Sequence, residues 1–319
     1  MLKILNIEPE NYSPEALAIL ETVGDVEQSV CKSEDLSGLL DGVDVLITRL
    51  AHSIDRRTID SSPSLKAIVT ATTGLTHIDV EYAETRGIKV LSLRGETEFL
   101  RTIPATAELS WSLLLALVRR LVPAAVSVRS GEWNRDLYKG HDLAGKRLGI
   151  VGLGRIGQRV AEYGKAFGMD VSAYDPYVEE WPSDVTKSES LDQLATKSDV
   201  LMVHVTSNEE TLGLVSSDII SRLPEWAVIV NTSRGEVIDN AALLEAVDNR
   251  QILGAALDVL PDELDESSTL RSKLIGYSAE NDNLLITPHI GGATIESMAM
   301  TEVFMAKKLA EWARGLEDA

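Results

Sequence analysis

Short apolar runs, rich in β-branched residues and leucine, recur along the first third of the chain at residues 2–7, 43–48, 65–70 and 88–93. Between them lie stretches of helical spacing such as 13–23. A strand can be told from a helix here by run length and flanking polar residues, and the alternation of the two predicts a parallel sheet with helical crossovers. Near Pro104 the texture changes to a long helical pattern over 107–128, followed by a polar, irregular segment over 130–145 in which Trp133 and Tyr138 are the large side chains. From Lys146 the alternation restarts, with strand candidates at 147–151, 170–174, 199–205, 228–231, 255–259 and 284–287. Six such strands suit a complete doubly wound domain. Residues 262–283 read as a long acidic loop, and 294–316 as a closing helix that returns to the first domain. The expected division is therefore a discontinuous first domain, 1–101 with 293–319, and a second domain of 102–292.

Composition narrows the function. The 319 residues suit two domains, on a prior of roughly 150 residues each. With 30 basic against 50 acidic residues the net charge is -20, which argues against nucleic acid or an anionic membrane as partner. Cys31 is the only cysteine, so no intrachain disulfide can form, no metal site is expected, and a reducing cytoplasm fits. The most apolar stretch, 111–122 (WSLLLALVRRLV), falls short of the ~20 residues of a membrane span and is interrupted by Arg119 and Arg120. It reads as a buried or interface helix. The opening MLKILNIEPE lacks the basic-then-apolar order of a signal peptide, and the short tail beyond the closing helix leads us to expect no added regulatory domain there.

One glycine pattern stands where chemistry would need it. Gly152-Leu153-Gly154-Arg155-Ile156-Gly157 follows a buried-strand pattern and opens a helical one. In that setting the first glycine permits a tight turn, the second lets a pyrophosphate approach the backbone, and the third lets helix and strand pack closely. Asp175 closes the next strand about 20 residues on, where a carboxylate accepts hydrogen bonds from the adenosine ribose. It selects NAD, since a ribose phosphate would be repelled and Pro176 and Tyr177 supply no cation. The plainer role for Asp175 is to cap the turn before Pro176.

Three later fragments, at 230–239 (VNTSRGEVID), 256–263 (ALDVLPDE) and 286–294 (ITPHIGGAT), present an arginine, carboxylates and a histidine at the ends of apolar runs. Passing a hydride between a nicotinamide and a carbonyl needs a group that exchanges the hydroxyl proton, and histidine suits that role near neutrality. His289 precedes Gly291-Gly292, where backbone can approach a ligand, and a neighbouring carboxylate would favour its protonated form and fix its ring. Glu263 is the chosen partner by its spacing from Asp258, with Asp262, Asp265 and Glu266 as rivals. Arg234 sits in a Thr-Ser-Arg-Gly turn, and its planar guanidinium can hold a carboxylate through two bonds.

Taken together, GLGRIGQRVA, VNTSRGEVID, ALDV and ITPHIGGAT, with Gly145-Lys146 ahead of them, closely resemble the D-2-hydroxyacid dehydrogenases. The resemblance implies a flavodoxin-like substrate domain beside a Rossmann NAD-binding domain, with Arg234, Glu263 and His289 as the catalytic set. It implies that Asp258 reaches the nicotinamide carboxamide and that Thr106, Gly152, Gly154, Arg155, Ile156, Gly157, Asp175, His204, Thr206, Thr232, Ser233, Gly291 and Gly292 line the cofactor. For the substrate it implies backbone amides at Thr73, Gly74 and Leu75, Arg49 facing the cleft, and contacts from Arg234 and His289. The partners it implies are a 2-hydroxy or 2-keto acid and a second copy of the chain, joined through 122–142. The expected reaction is that of a D-3-phosphoglycerate dehydrogenase, with glyoxylate or hydroxypyruvate reduction as the alternative and an NAD-binding corepressor as a reading of another class. Three departures stand out. Thr206 replaces the proline of the usual His-x-Pro, the segment between Asp258 and His289 is long, and 91–101 (LSLRGETEFLR) is unlike the common pattern, which makes Arg94 and Arg101 candidates for a distal phosphate.

Overall fold

The computed structural model describes residues 1–32, 35–263, 265 and 267–317, the side chain of Glu317 excepted. The chain forms two compact units, one of Met1–Ile103 with Ala293–Ala319 and one of Pro104–Gly292.

In the first unit five parallel strands, β1 (Leu2–Asn6), β2 (Gly24–Gln28), β3 (Val45–Thr48), β4 (Ala67–Thr70) and β5 (Lys89–Leu91), lie in the order β2-β1-β3-β4-β5. This is the flavodoxin-like order, in which the chain reverses its direction of travel between β1 and β3. Side chains alternate between two cores: Leu5, Leu46 and Ile68 face one, and Ile4, Val45, Ile47, Ala67 and Val69 the other. A sheet covered on both faces needs unbroken apolar runs, which is why β3 and β4 are buried at every position. The strand β2 (GDVEQ) escapes the apolar pattern because it is an edge strand with only Gly24 fully buried. The helix Ile295–Glu317 covers the second face, where Met305, Ala306 and Leu309 pack with Ile4, Ala16 and Leu20.

The second unit carries seven parallel strands: β6 (Arg147–Val151), β7 (Asp170–Tyr174), β8 (Thr186–Lys187), β9 (Val200–Val203), β10 (Val228–Asn231), β11 (Gly254–Leu257) and β12 (Leu284–Ile286). Their order, β12-β11-β10-β9-β6-β7-β8, is doubly wound, with the switch point between β6 and β9. The seventh strand, β8, spans two exposed residues and has no apolar signature.

Two helical expectations need correction. The pattern over 107–128 is two helices, Ala105–Val118 and Leu121–Arg129. Arg120 between them is left-handed at φ 52°. A continuous helix would set the Pro123 ring against the Arg119 carbonyl and remove a hydrogen bond, whereas in a first turn the missing N–H costs nothing. The stretch read as a loop over 262–283 contains the helix Thr269–Glu280, capped by Ser268, whose Oγ accepts from the Arg271 N–H. Leu274 is its only fully buried residue, helped by Leu270 and Tyr277, so it shows no broad apolar stripe.

Candidate active site

The cofactor loop is built where β6 meets its helix. Gly152 has φ 91°, and a Cβ there would come within 2.7 Å of the His204 carbonyl oxygen. At Gly157 a Cβ would meet the Gly152 oxygen at 2.1 Å, so only glycine lets helix Arg155–Ala166 sit against the strand. Gly154 differs, because a Cβ there meets nothing within 4 Å. The protein's own packing makes no demand for glycine at 154, while a ligand lying on the backbone would. Gly154 is also the N-cap of that helix and offers no capping side chain, and a helix start of this kind suits an anion. Ile156 is packed against the core below and Arg155 begins the helix. These features fit a dinucleotide pyrophosphate.

Asp175 follows β7. One of its oxygens accepts from the Leu153 N–H at 2.8 Å and the other from the Tyr177 N–H at 2.9 Å. It therefore caps its turn and also ties that turn to the glycine loop, with acceptor capacity left over. Across the switch point, the His204 N–H donates to the Val151 carbonyl at 2.8 Å. Among the described residues nothing hydrogen-bonds its buried Nε2, and burial pushes the imidazole down to about 3. Thr206, standing where a proline was expected, is braced differently: its carbonyl accepts from the Thr211 hydroxyl at 2.6 Å, and Asn208 Oδ1 accepts the Glu210 and Thr211 N–H groups.

The His204 depression has a stability consequence. Above the unfolded value near 6.5 both states are neutral and the group contributes nothing. Below it the unfolded chain binds a proton that the folded chain refuses, so stability falls by roughly 1.4 kcal/mol per pH unit until about pH 3. The acid side of a melting-temperature profile is expected to flatten in His204→Gln, and an unchanged slope would disprove the assignment.

The remaining candidates follow β10, β11 and β12, three neighbours in parallel register. After β10, Asn231 organises the turn by accepting the Ser233 N–H and hydroxyl on Oδ1 and donating from Nδ2 to the Arg234 carbonyl. Thr232 is buried and shares a 2.6 Å hydrogen bond with Ser110 of the helix Ala105–Val118. The Arg234 guanidinium donates to the Ser233 carbonyl at 2.7 Å. At Gly235 a Cβ would strike the Leu260 carbonyl carbon at 2.1 Å, so the arginine turn lies directly on the backbone that follows β11.

After β11, Asp258 is 1 % exposed and accepts three hydrogen bonds: from the Thr287 hydroxyl at 2.6 Å, the Ile290 N–H at 2.9 Å and the Gly291 N–H at 2.7 Å. Burial pushes its carboxyl up while these donors pull it down. The Asp258 carbonyl also accepts the His289 N–H, so one residue fixes the whole turn after β12. Within that turn His289 is left-handed at φ 52°, a conformation uncommon outside glycine that histidine adopts more readily than most residues. Gly291 lies against Thr106, whose Cγ2 would be 3.4 Å from an added Cβ, while Gly292 is open.

Glu263 closes the arrangement. Its Oε1 accepts from the Leu260 N–H at 3.0 Å, and its Oε2 is 2.6 Å from His289 Nδ1. With Nδ1 held, Nε2 is the ring nitrogen left for a substrate. Of the rival acids, Asp262 accepts from the Ser268 hydroxyl and Asp265 from Ser267, and Glu266 lies outside the described residues.

The sequence pattern of the D-isomer-specific 2-hydroxyacid dehydrogenase family, NAD-binding domain, matches residues 111–291. The chain belongs to this family. A hydroxypyruvate reductase of Thermotoga maritima is 36 % identical over 278 residues, 87 % of each chain. A D-3-phosphoglycerate dehydrogenase of Methanocaldococcus jannaschii is 34 % identical over 99 % of this chain but only 58 % of its own length. Among solved structures, D-lactate dehydrogenase of Aquifex aeolicus, complexed with NAD and lactic acid, superposes with a TM-score of 0.82 at 26 % identity, covering 98 % of this chain and 95 % of the other. Family membership accounts for the NAD-binding fold of the second unit.

The first unit holds the other named residues. Arg49, at the end of β3, is ion-paired with Glu302, which is 1 % exposed, and donates to the Glu10 carbonyl at 3.1 Å. Its backbone N–H and the Thr48 hydroxyl are both taken by Glu8 Oε1. Arg94 is exposed and follows β5; Arg101 ends the short helix Thr97–Leu100. Thr73, Gly74 and Leu75 form the turn after β4, and among the described residues nothing accepts from their N–H groups. Sequence reasoning missed Asn231, Thr287 and Glu302, which carry no chemistry of their own and act by holding a neighbour. Their only sequence signal is position, at a strand end or inside a helix.

Proposed function

We propose that this chain is an NAD-dependent oxidoreductase interconverting an (R)-2-hydroxy acid and its 2-keto acid, with D-3-phosphoglycerate as the substrate and glyoxylate or hydroxypyruvate as the alternative. The observation that carries the reading is the 2.6 Å His289–Glu263 pair, which follows β11 and β12 at the same carboxyl edge of the parallel sheet as the glycine loop after β6. Bound NAD would supply or take the hydride at the substrate's second carbon. His289 Nε2 exchanges the proton of the hydroxyl oxygen, and Glu263 holds the ring and balances its charge when protonated. Arg234 turns its fork from the Ser233 carbonyl to the substrate carboxylate. The cofactor contacts are those named above, with Asp258 acting on the nicotinamide end through the turn it fixes. Successive unengaged N–H groups at Thr73, Gly74 and Leu75 suit a carboxylate as well.

The test is NADH oxidation at 340 nm, the absorbance of reduced nicotinamide, with phosphohydroxypyruvate, hydroxypyruvate and glyoxylate offered separately. Preference for the first supports the phosphoglycerate reading, and preference for either of the others supports the reductase. Tight NADH binding without turnover on any would sink both and favour the corepressor reading.

A cytoplasmic homodimer is part of the proposal. The helix Leu121–Arg129 and the segment after it expose Leu121, Val122, Val126, Val128, Trp133 and Leu137, of which Trp133 is 91 % exposed. An apolar patch of this kind marks an interaction face. Light scattering should report twice the chain mass of 34.7 kDa, and half of that for Val126→Glu with Trp133→Glu. A monomeric wild type would remove the dimer.

A further inference from the structure

The turn after β4 contains a row of side-chain hydrogen bonds whose direction can be worked out. Thr72 Oγ1 lies 2.8 Å from the Gly74 carbonyl oxygen, which can only accept, so Thr72 gives its hydroxyl proton there. The Thr70 hydroxyl, 3.0 Å away, must then donate to Thr72. That leaves the Thr70 oxygen as the acceptor facing His77 Nε2 at 3.5 Å. Thr70 is fully buried and His77 is 3 % exposed, so this row is sheltered from water at its inner end. The outer end is pinned as well, because the Thr72 carbonyl accepts the Leu93 N–H at 3.0 Å.

We propose that Thr72 is a positioning residue for the substrate carboxylate, fixing the Gly74 peptide so that the Leu75 N–H faces the anion. The inference rests on the proposed reading of this turn as the carboxylate site. The physical step is the planarity of the trans peptide: its C=O and N–H point in opposite directions. Holding the Gly74 oxygen against Thr72 therefore turns the Leu75 N–H away from Thr72, to the side where no acceptor among the described residues meets it. Without the hydroxyl that peptide can rotate, and one donor of the three is lost from register.

A carboxylate keeps its charge through the reaction, so the turn binds ground and transition states alike, and its loss falls on KM rather than kcat. With a 2-keto acid that the wild type reduces, Thr72→Val is expected to raise KM about tenfold, in keeping with the loss of one hydrogen bond. We expect kcat to stay within about twofold and the NADH Kd to be unchanged. Oxamate, an unreactive analogue with the same carboxylate, should lose affinity by the same factor in calorimetry. Thr72→Ser keeps the hydroxyl and should restore wild-type KM. Thr70→Val, one step inward, should give a smaller rise in the same direction, and it serves as the test if Thr72→Val does not fold.

An unchanged KM in Thr72→Val, or a Thr72→Ser as weak as the valine variant, would overturn the inference while leaving the dehydrogenase reading intact. A wild type that reduces no 2-keto acid would overturn the reading and this inference with it.

Discussion

His289→Ala is expected to turn over between about 10²-fold and 10⁴-fold more slowly than the wild type, the range for losing a positioned acid or base. The NADH Kd should change by less than about threefold, because the proposal gives the phosphates to the glycine loop and its helix and not to the histidine. The loss should appear in kcat and in kcat/KM alike, the mark of an interaction made only in the transition state. Glu263→Gln separates holding from charge. The amide can still bond the ring but cannot balance an imidazolium, so its kcat should fall between those of the wild type and His289→Ala. Stopped-flow absorbance of NADH measures each rate, and a wild-type rate in His289→Ala would refute the site.

The second large effect is at Arg234. Removing one member of a buried, hydrogen-bonded charge pair costs about 2–5 kcal/mol, which places Arg234→Ala near a 10³-fold loss in kcat/KM. Unlike the histidine variant it should raise KM strongly, since in the proposed role the guanidinium binds the carboxylate before any bond changes. Arg234→Lys keeps the charge and loses the fork, so a partial recovery is expected that stays well below the wild type. Should lysine serve as well as arginine, two-point binding would be wrong and Arg234 would be acting only as a charge. Steady-state kinetics with the best substrate of the panel resolves the three cases.

Much of this architecture is written in periodicity. The inner strands β3, β4, β9, β10 and β11 are buried at every position, and their apolar runs stand out in the sequence. What periodicity hides is structure at the margins. The edge strands β2 and β8 bury little, and the helix Thr269–Glu280 rests on three side chains. The break at Arg120 was announced by Pro123, but only a structure shows what makes a left-handed arginine tolerable there: its guanidinium donates to the Leu137 carbonyl, pairs with Asp282 and lies 5.7 Å from the Tyr138 ring centre.

The candidate site divides in the same way. Glycine spacing marks the cofactor loop because backbone geometry demands glycine at 152 and 157. The fragments bearing Arg234, Glu263 and His289 can be seen in the chain, yet the meeting of Glu263 with His289 depends on a loop whose four acids look alike in one dimension. The commitments of Arg49 to Glu302 and of Asp258 to the His289 turn join residues 253 and 29 to 33 positions apart. No local pattern encodes such distances.

Gly235 has a wider consequence. With no room for any side chain at 235, the arginine turn rests on the main chain of Leu260 and Pro261, and Leu260 in turn holds Glu263 and through it His289. The arginine turn and the histidine turn are thus spaced by peptide groups, since the His289 N–H also donates to the Asp258 carbonyl, while the Glu263 side chain holds the ring. Under the proposed function this arrangement is a fixed gauge for the two carbons every 2-keto acid has in common, and variety among substrates would be accommodated beyond the second carbon, by residues outside that gauge.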